Sequence, residues 1–187
     1  MKGTFEDAVI FAANAHRGAK RKGKDRAYIL HPLEVAVIVS TLTTDEAVLA
    51  AAVLHDTVED TPATREDIST AFGEDVARLV AAESENKREN LPAASTWQIR
   101  KQETVEHLRS ADKETKLICL GDKLANLREI ARDHDMFGEA LWQRFNQKDK
   151  RMHEWYYRSI FEILAYEFGP VPPIEEYRTL LTRVFGE

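Results

Sequence analysis

The sequence predicts an all-α fold, and three observations carry that expectation. Apolar residues recur at three- and four-residue spacing along most of the chain, while strict alternation beyond a few residues is absent. Helix-start residues recur along the chain, at Thr4, Asp45, Thr64 and Ser95. Glycine and proline, 8 and 6 of 187 residues, are too few for a disordered, collagen-like or low-complexity chain and leave a compact protein rich in helix. With 43% hydrophobic and 31% charged residues the chain has the material of one ordinary domain with a substantial core.

The elements follow in order. A first helix is expected from Thr4, burying Phe5, Val9, Ala12 and Ala13 and stopping before Gly18. A basic loop runs to Leu30. Pro32 suits the first position of a second helix, with Leu33, Val35, Ala36, Ile38 and Val39 inward. Asp45 opens a third, apolar on every side from Ala47 to Leu54 and therefore central. Thr64 with Asp67 forms a capping pair for a short helix to Phe72, Gly73 ends it, and the next segment from Glu74 buries Val76, Leu79 and Val80. The polar stretch Glu83 to Ala94, with Pro92, reads as a long loop. Ser95 with Gln98 starts a helix towards Arg109, and another runs from Lys113 to about Asp135. Phe137 to Phe168 and Ile174 to Phe185 are the last two, separated by Gly169, Pro170, Pro172 and Pro173. No repeat and no domain boundary is visible, so residues 1–187 are expected as a single domain, its core at about 5–133 and its C-terminal helices at 137–187.

Charge and composition exclude several classes. A net charge of −6 argues against a general nucleic-acid-coating surface, so an anionic ligand must be held by a local basic cluster. The one cysteine, Cys119, excludes an intrachain disulfide and a cysteine-based zinc site and suits a reducing cytoplasm. The longest apolar run, Ala47 to Leu54, falls far short of the roughly 18 residues of a membrane span. Glu6 and Asp7 interrupt any signal-peptide core, and a cytoplasmic protein is expected.

Chemistry concentrates where polar residues meet apolar sequence. His55-Asp56 ends the apolar run, where an imidazole and a carboxylate need partners. The alternative is a helix that simply surfaces at His55. Asp122 follows Leu117-Ile118-Cys119-Leu120-Gly121, a setting in which a lone carboxylate is costly. Lys123 is a poor partner by helix geometry, because adjacent residues point about 100° apart. His31, beside Pro32 at a helix start, adds a further imidazole, with helix-end packing as its plainer role. Together His31, His55, Asp56 and Asp122 form a mixed nitrogen and oxygen set suited to manganese, iron or zinc with room for water. Glu59 and Asp60 lie just beyond, Glu59 one turn from His55 and Asp56 if the helix persists, and are placed to orient that water or accept its proton, unless they are only a solvated helix end. Arg17, Lys20, Arg21, Lys22, Lys24 and Arg26 crowd one loop of an acidic chain, a phosphate-binding composition that an ordinary solvated loop also shows. Asn126, one turn after Asp122, faces the same way. His16, His107, His134 and His153 show no companion carboxylate at ligand spacing, and Trp97, Trp142 and Trp155 read as core or pocket wall.

His31-Pro32, the string His55-Asp56-Thr57-Val58-Glu59-Asp60-Thr61 and Asp122-Lys123-Leu124-Ala125-Asn126-Leu127-Arg128 together resemble the HD-domain hydrolases of the RelA/SpoT type, in the form of the stand-alone small alarmone hydrolases. The resemblance runs from about Phe5 to Asp133 and continues more weakly beyond. It implies a single HD-domain helical bundle that removes pyrophosphate from the 3′ position of guanosine (p)ppGpp with manganese. It implies His31, His55, Asp56 and Asp122 as metal ligands, Glu59 and Asp60 as the pair positioning the attacking water, and Arg21, Lys22 and Asn126 as nucleotide contacts, with Arg151 as a further phosphate contact. The partner implied is a small-molecule nucleotide, with no nucleic acid and no membrane. The chain departs from the pattern in a basic loop one residue longer, in Gly23 after the Arg-Lys pair, and in Ser84-Glu85-Asn86-Lys87 for Thr-Asp-Asp-Lys. The rival readings are an HD nucleotidase or phosphatase on another nucleotide, and a non-catalytic metal-binding helical sensor module.

Overall fold

Helices account for the architecture throughout the computed structural model, which describes residues 3–85, 88 and 90–187. Asn86 and Lys87 of the departing motif lie outside the described residues. In order the elements are α1 (Phe5–Ala15), α2 (Leu30–Ser40), α3 (Glu46–Leu54), α4 (Thr57–Asp60), α5 (Arg65–Phe72), α6 (Glu74–Glu83), α7 (Ala93–Ser110), α8 (Lys113–Phe137), a 3-10 stretch (Gly138–Arg144), α9 (Lys150–Phe168) and α10 (Pro172–Phe185). Among the described residues no strand forms; one isolated antiparallel bridge joins Lys20 and Ala27. The all-α expectation is met.

The helices pack as two units, residues 1–84 with 114–125 and residues 85–113 with 126–187, and α8 runs through both. The first unit is built on α3. Its Ala50, Ala51, Ala52, Val53 and Leu54 are all buried, and α1, α2 and α6 pack around it. Burial on every side explains why its sequence lacks a polar face. Asp45 caps its start, accepting from the amides of Ala47 at 2.8 Å and Val48 at 3.4 Å. The expected capping boxes at Thr4 with Asp7 and Thr64 with Asp67 are both formed. Gly73, at φ +93°, turns α5 into α6, a conformation open to glycine.

The second unit packs α9 against α7 and α10. Trp142, with its neighbours Phe145, His153 and Phe185 at 5.1–6.0 Å between ring centroids, fills its interior. His153 is buried there, with Nε2 2.8 Å from the Gln147 carbonyl oxygen.

Several boundaries differ from the sequence reading, each for a local reason. α2 begins at Leu30, so Pro32 is its third residue; the first turn of a helix leaves its amides unpaired, and proline is tolerated there as well. α1 buries Ala8 and Ala12 while Ala13 is exposed. α7 begins at Ala93, directly after Pro92. The stretch expected as one helix from Phe137 is broken: the 3-10 turns end at Arg144, and Asp149 caps a new start by accepting from the Arg151 amide at 2.9 Å. Trp97 and Trp142 are buried as expected, but Trp155 is 37% exposed and is not core. No helix among the described residues is long and apolar enough to cross a membrane.

One close approach fixes the site described next. Gly121 in α8 faces α2, and a Cβ placed on it meets Val39 Cγ2 at 2.7 Å, Val35 Cγ1 at 3.0 Å and the Val35 carbonyl oxygen at 3.1 Å. Gly121→Ala adds up to about 1 kcal/mol of helix propensity but overpacks a backbone contact, typically at about 1–3 kcal/mol. The clash outweighs the propensity, and a thermal melt is expected to show a Tm lower by on the order of 2–8 °C.

Candidate metal centre

The centre forms where a buried helix stops. α3 ends at Leu54, His55 and Asp56 form the link, and α4 restarts at Thr57 for a single turn. The helix therefore does not persist from His55 to Glu59. His55 is 2% exposed, and its Nδ1 lies 2.8 Å from the Ala52 carbonyl oxygen, which accepts its proton and turns Nε2 inward. His31, in the first turn of α2 and also 2% exposed, brings its Nε2 to the same place, the two rings lying edge to face at 5.3 Å.

Two carboxylates meet the imidazoles. Asp122 Oδ1, from α8, is 3.0 Å from His31 Nε2 and 3.7 Å from His55 Nε2. Asp56 Oδ2 is 3.1 Å from His55 Nε2 and 3.6 Å from His31 Nε2. Ligand atoms of His31, His55 and Asp122 all fall within 4.8 Å of one another. Both Nε2 atoms are buried, and among the described residues neither has a partner in hydrogen-bond geometry. Buried nitrogens so placed, facing one buried and one half-buried carboxylate, are what a divalent cation with nitrogen and oxygen ligands satisfies, so the residues fit a metal ion.

The electrostatics agree. Burial opposes the charged form of His55, but Asp56 and Asp122 outweigh it and hold its pKa well above the ordinary value. Burial likewise opposes ionisation of Asp56 and Asp122; the histidines, and for Asp122 first of all Lys123, reverse that and keep both well below the carboxylate range. Lys123 corrects the helix-geometry argument. Its Nζ contacts Asp122 Oδ2, because a four-carbon side chain folds back across the angle that separates the two Cβ atoms. That contact occupies Oδ2 and leaves Oδ1 on the imidazoles.

The basic loop is a small hairpin. The Arg21 amide donates to the Arg26 carbonyl at 3.0 Å, the Tyr28 amide to Ala19 at 2.9 Å, and the Lys24 amide to Arg21 at 3.0 Å. Its Lys20 contacts Asp25, and the Arg21 guanidinium sits 5.4 Å from the centre of the Tyr28 ring. The half-buried Tyr28 was not singled out by sequence reasoning. Its hydroxyl reaches Asp56 Oδ2 at 2.6 Å and Asp60 Oδ2 at 2.9 Å. Burial and those two carboxylates push its pKa far up, so it stays a donor. His16 stacks on Tyr28 at 4.8 Å and is buried, with Nε2 unpartnered; burial lowers its pKa although Asp56 and Asp60 act the other way. Hence Asp56, Asp60 and Arg21 are joined through one ring. Glu59 stands half-buried beside Asp60 on α4, and Lys22 is exposed on the hairpin. Asn126, one turn along α8, and Arg151, held by Asp149 in the first turn of α9, belong to the second unit.

Glu83 was also missed, since nothing in its sequence neighbourhood marks it. At the end of α6 it is half-buried, and burial, only partly offset by Lys123, pushes its pKa to about 7.

A buried nitrogen and oxygen cluster at the end of a central apolar helix, in an all-α frame, defines an HD domain, whose family description matches residues 8–145. The chain belongs to the HD-domain family. It is 43% identical over 129 residues to guanosine-3′,5′-bis(diphosphate) 3′-pyrophosphohydrolase MESH1 of Xenopus tropicalis, covering 67% of this chain and 69% of that protein. It is 37% identical over 123 residues to GTP pyrophosphokinase rsh of Brucella melitensis, covering 66% of this chain but 16% of that longer protein. The fold is similar, at TM-score 0.74 and 30% identity over 96% of this chain and 93% of the other, to a metazoan orthologue of SpoT described as hydrolysing ppGpp.

The Glu83 shift makes stability depend on pH. Its folded pKa, about 7, lies above the ordinary 4.5, so the folded state holds the proton more tightly. The protonated carboxyl's advantage is complete below about pH 4.5 and is lost as pH rises to about 7. Urea melts of metal-free protein are expected to show that decline, and Glu83→Gln is expected to flatten it.

Proposed function

We propose that this chain is a manganese-dependent guanosine-3′,5′-bis(diphosphate) 3′-pyrophosphohydrolase, acting on a small-molecule nucleotide in the cytoplasm, with residues 1–187 as one HD domain. The observation that carries the reading is the pair of buried Nε2 atoms of His31 and His55, without a hydrogen-bond partner among the described residues, set against Asp56 and Asp122 and joined through Tyr28 to Asp60 and a basic hairpin. The named activity of the Xenopus relative supports the substrate.

On this reading His31, His55, Asp56 and Asp122 hold the metal. Bound there, a divalent ion supplies Lewis acidity, lowering the pKa of water and offsetting charge on the phosphoryl oxygens. Glu59 and Asp60 orient the attacking water and take its proton. Water adds to the phosphorus attached to O3′, the P–O3′ bond breaks, and O3′ receives a proton, giving GDP and pyrophosphate. Arg21 and Lys22 hold phosphate oxygens by charge-assisted hydrogen bonds, and Asn126 and Arg151 add nucleotide contacts.

Protein reloaded with manganese and incubated with a nucleotide panel is expected to convert ppGpp to GDP and pyrophosphate, and a chelator to stop the reaction. Turnover of a different nucleotide alone would overturn the substrate assignment, and metal binding with no turnover of any would leave a sensor module. Asp122→Ala is expected to lose manganese by elemental analysis.

Glu59→Gln is expected to keep fold and metal and lose about 10²–10⁴-fold in kcat. Replacing Arg21 and Lys22 together by alanine is expected to raise KM for ppGpp at least about tenfold, two contacts of roughly 1.5–3 kcal/mol each being removed, with less effect on a nucleoside monophosphate. Steady-state kinetics at two salt concentrations separates these contacts from long-range attraction, which salt screens.

A further inference from the structure

We propose that Tyr28 is a positioning residue for the hydrolysis, its hydroxyl locking the metal-side carboxylate of Asp56 and the water-side carboxylate of Asp60 in one geometry. The inference rests on the proposed function and adds to it a residue outside the metal-ligand and acid-base set.

The hydroxyl sits between two like charges. Asp56 precedes and Asp60 ends the single turn of α4, so they lie one turn apart, where two carboxylates repel. Tyr28 Oη lies 2.6 Å from one and 2.9 Å from the other, and its one proton is shared between them. The Asp56 oxygen that accepts it, Oδ2, is the oxygen facing His55 Nε2 at 3.1 Å. A hydrogen bond to a ligating oxygen fixes which lone pair points at the ion, and losing such a partner typically costs 10–100-fold in metal affinity or activity.

Asp60 is the second carboxylate on the hydroxyl. It is exposed and is the last residue of α4, after which the chain leaves helical geometry at Thr61. A carboxylate at such a position is free to turn into solvent unless something fixed holds it. Tyr28 is fixed: His16 stacks on its ring at 4.8 Å, the Arg21 guanidinium lies 5.4 Å from its centre, and its backbone is tied by Tyr28 N to Ala19 O at 2.9 Å and by His31 N to Tyr28 O at 2.9 Å. The last bond binds it to the neighbourhood of a metal-facing imidazole. The ring thus joins the phosphate-binding hairpin, the metal ligands and the water-handling carboxylate.

Tyr28→Phe removes the hydroxyl and keeps the ring and its stacking. Chelator competition with metal-free variant is expected to show Mn²⁺ bound about tenfold more weakly than by the parent. At saturating Mn²⁺, kcat on ppGpp is expected to fall at least about tenfold while KM changes less than about twofold. Because Tyr28 acts in part through Asp60, the double variant Y28F/D60N should lose less than the product of the two single losses. Unchanged Mn²⁺ affinity with unchanged kcat overturns the proposal, as do losses that multiply in the double variant, or a lower melting temperature with metal affinity and kcat both intact. If the parent protein does not hydrolyse ppGpp, the functional reading fails, while the Mn²⁺ competition still decides whether Tyr28 orients Asp56.

Discussion

The structure turns on the end of α3, where a helix buried on every side delivers two polar side chains into the interior. A helix with no polar face gains its stability from packing alone, and α1, α2 and α6 supply that packing. At Leu54 the helix stops, and His55, buried, and Asp56, half-buried, follow it with little water at hand to solvate them. His31 and Asp122 arrive from α2 and α8, and the contact of Gly121 with Val35 and Val39 sets how near those helices come. Core packing and the polar cluster are therefore one problem. A shift of α8 against α2 moves Asp122 from the imidazoles.

The cluster was largely legible because burial and polarity conflict within the sequence itself. His55-Asp56 after an eight-residue apolar run and Asp122 after Leu117 to Gly121 each announce a buried polar group in need of a partner. Tyr28 could not be read this way. It stands in a basic, glycine-containing loop, and its role depends on a hairpin that returns the ring over α4, a contact across 28 residues to Asp56 and 32 to Asp60. His16 escaped for the same reason, since its neighbours come from the loop and from α4 rather than from its own helix. Glu83 sits at a helix end that sequence alone assigns to solvent.

Side-chain reach and backbone tightening account for the departures from the sequence pattern. A helical wheel sets Lys123 and Asp122 apart as rigid spokes, whereas the lysine stem spans the angle. The unbroken helix expected after Phe137 rested on apolar spacing, which a 3-10 stretch followed by a capped restart at Asp149 also satisfies. Periodicity locates the buried face and is silent about where the backbone tightens.

Charge arithmetic explains why the proposed chemistry needs both the ion and the hairpin. Asp56, Glu59, Asp60 and Asp122 carry four negative charges; without an ion Lys123 on Asp122 returns one and His55, held well above its ordinary pKa, another. Left so, the centre repels a polyphosphorylated nucleotide. A divalent ion in place of the His55 proton would reduce the deficit to a single negative charge, still the wrong sign for such a ligand. Arg21, placed by Tyr28, and Lys22 beside it on the hairpin bring the sum to one positive charge. In a chain whose net charge is −6, the proposed phosphate site would thus owe its attraction to local charges, the ion among them. On the proposed reading the carboxylates that would hold the ion and the water are also the ones whose charge the ion offsets, which would tie phosphate recognition to readiness for hydrolysis.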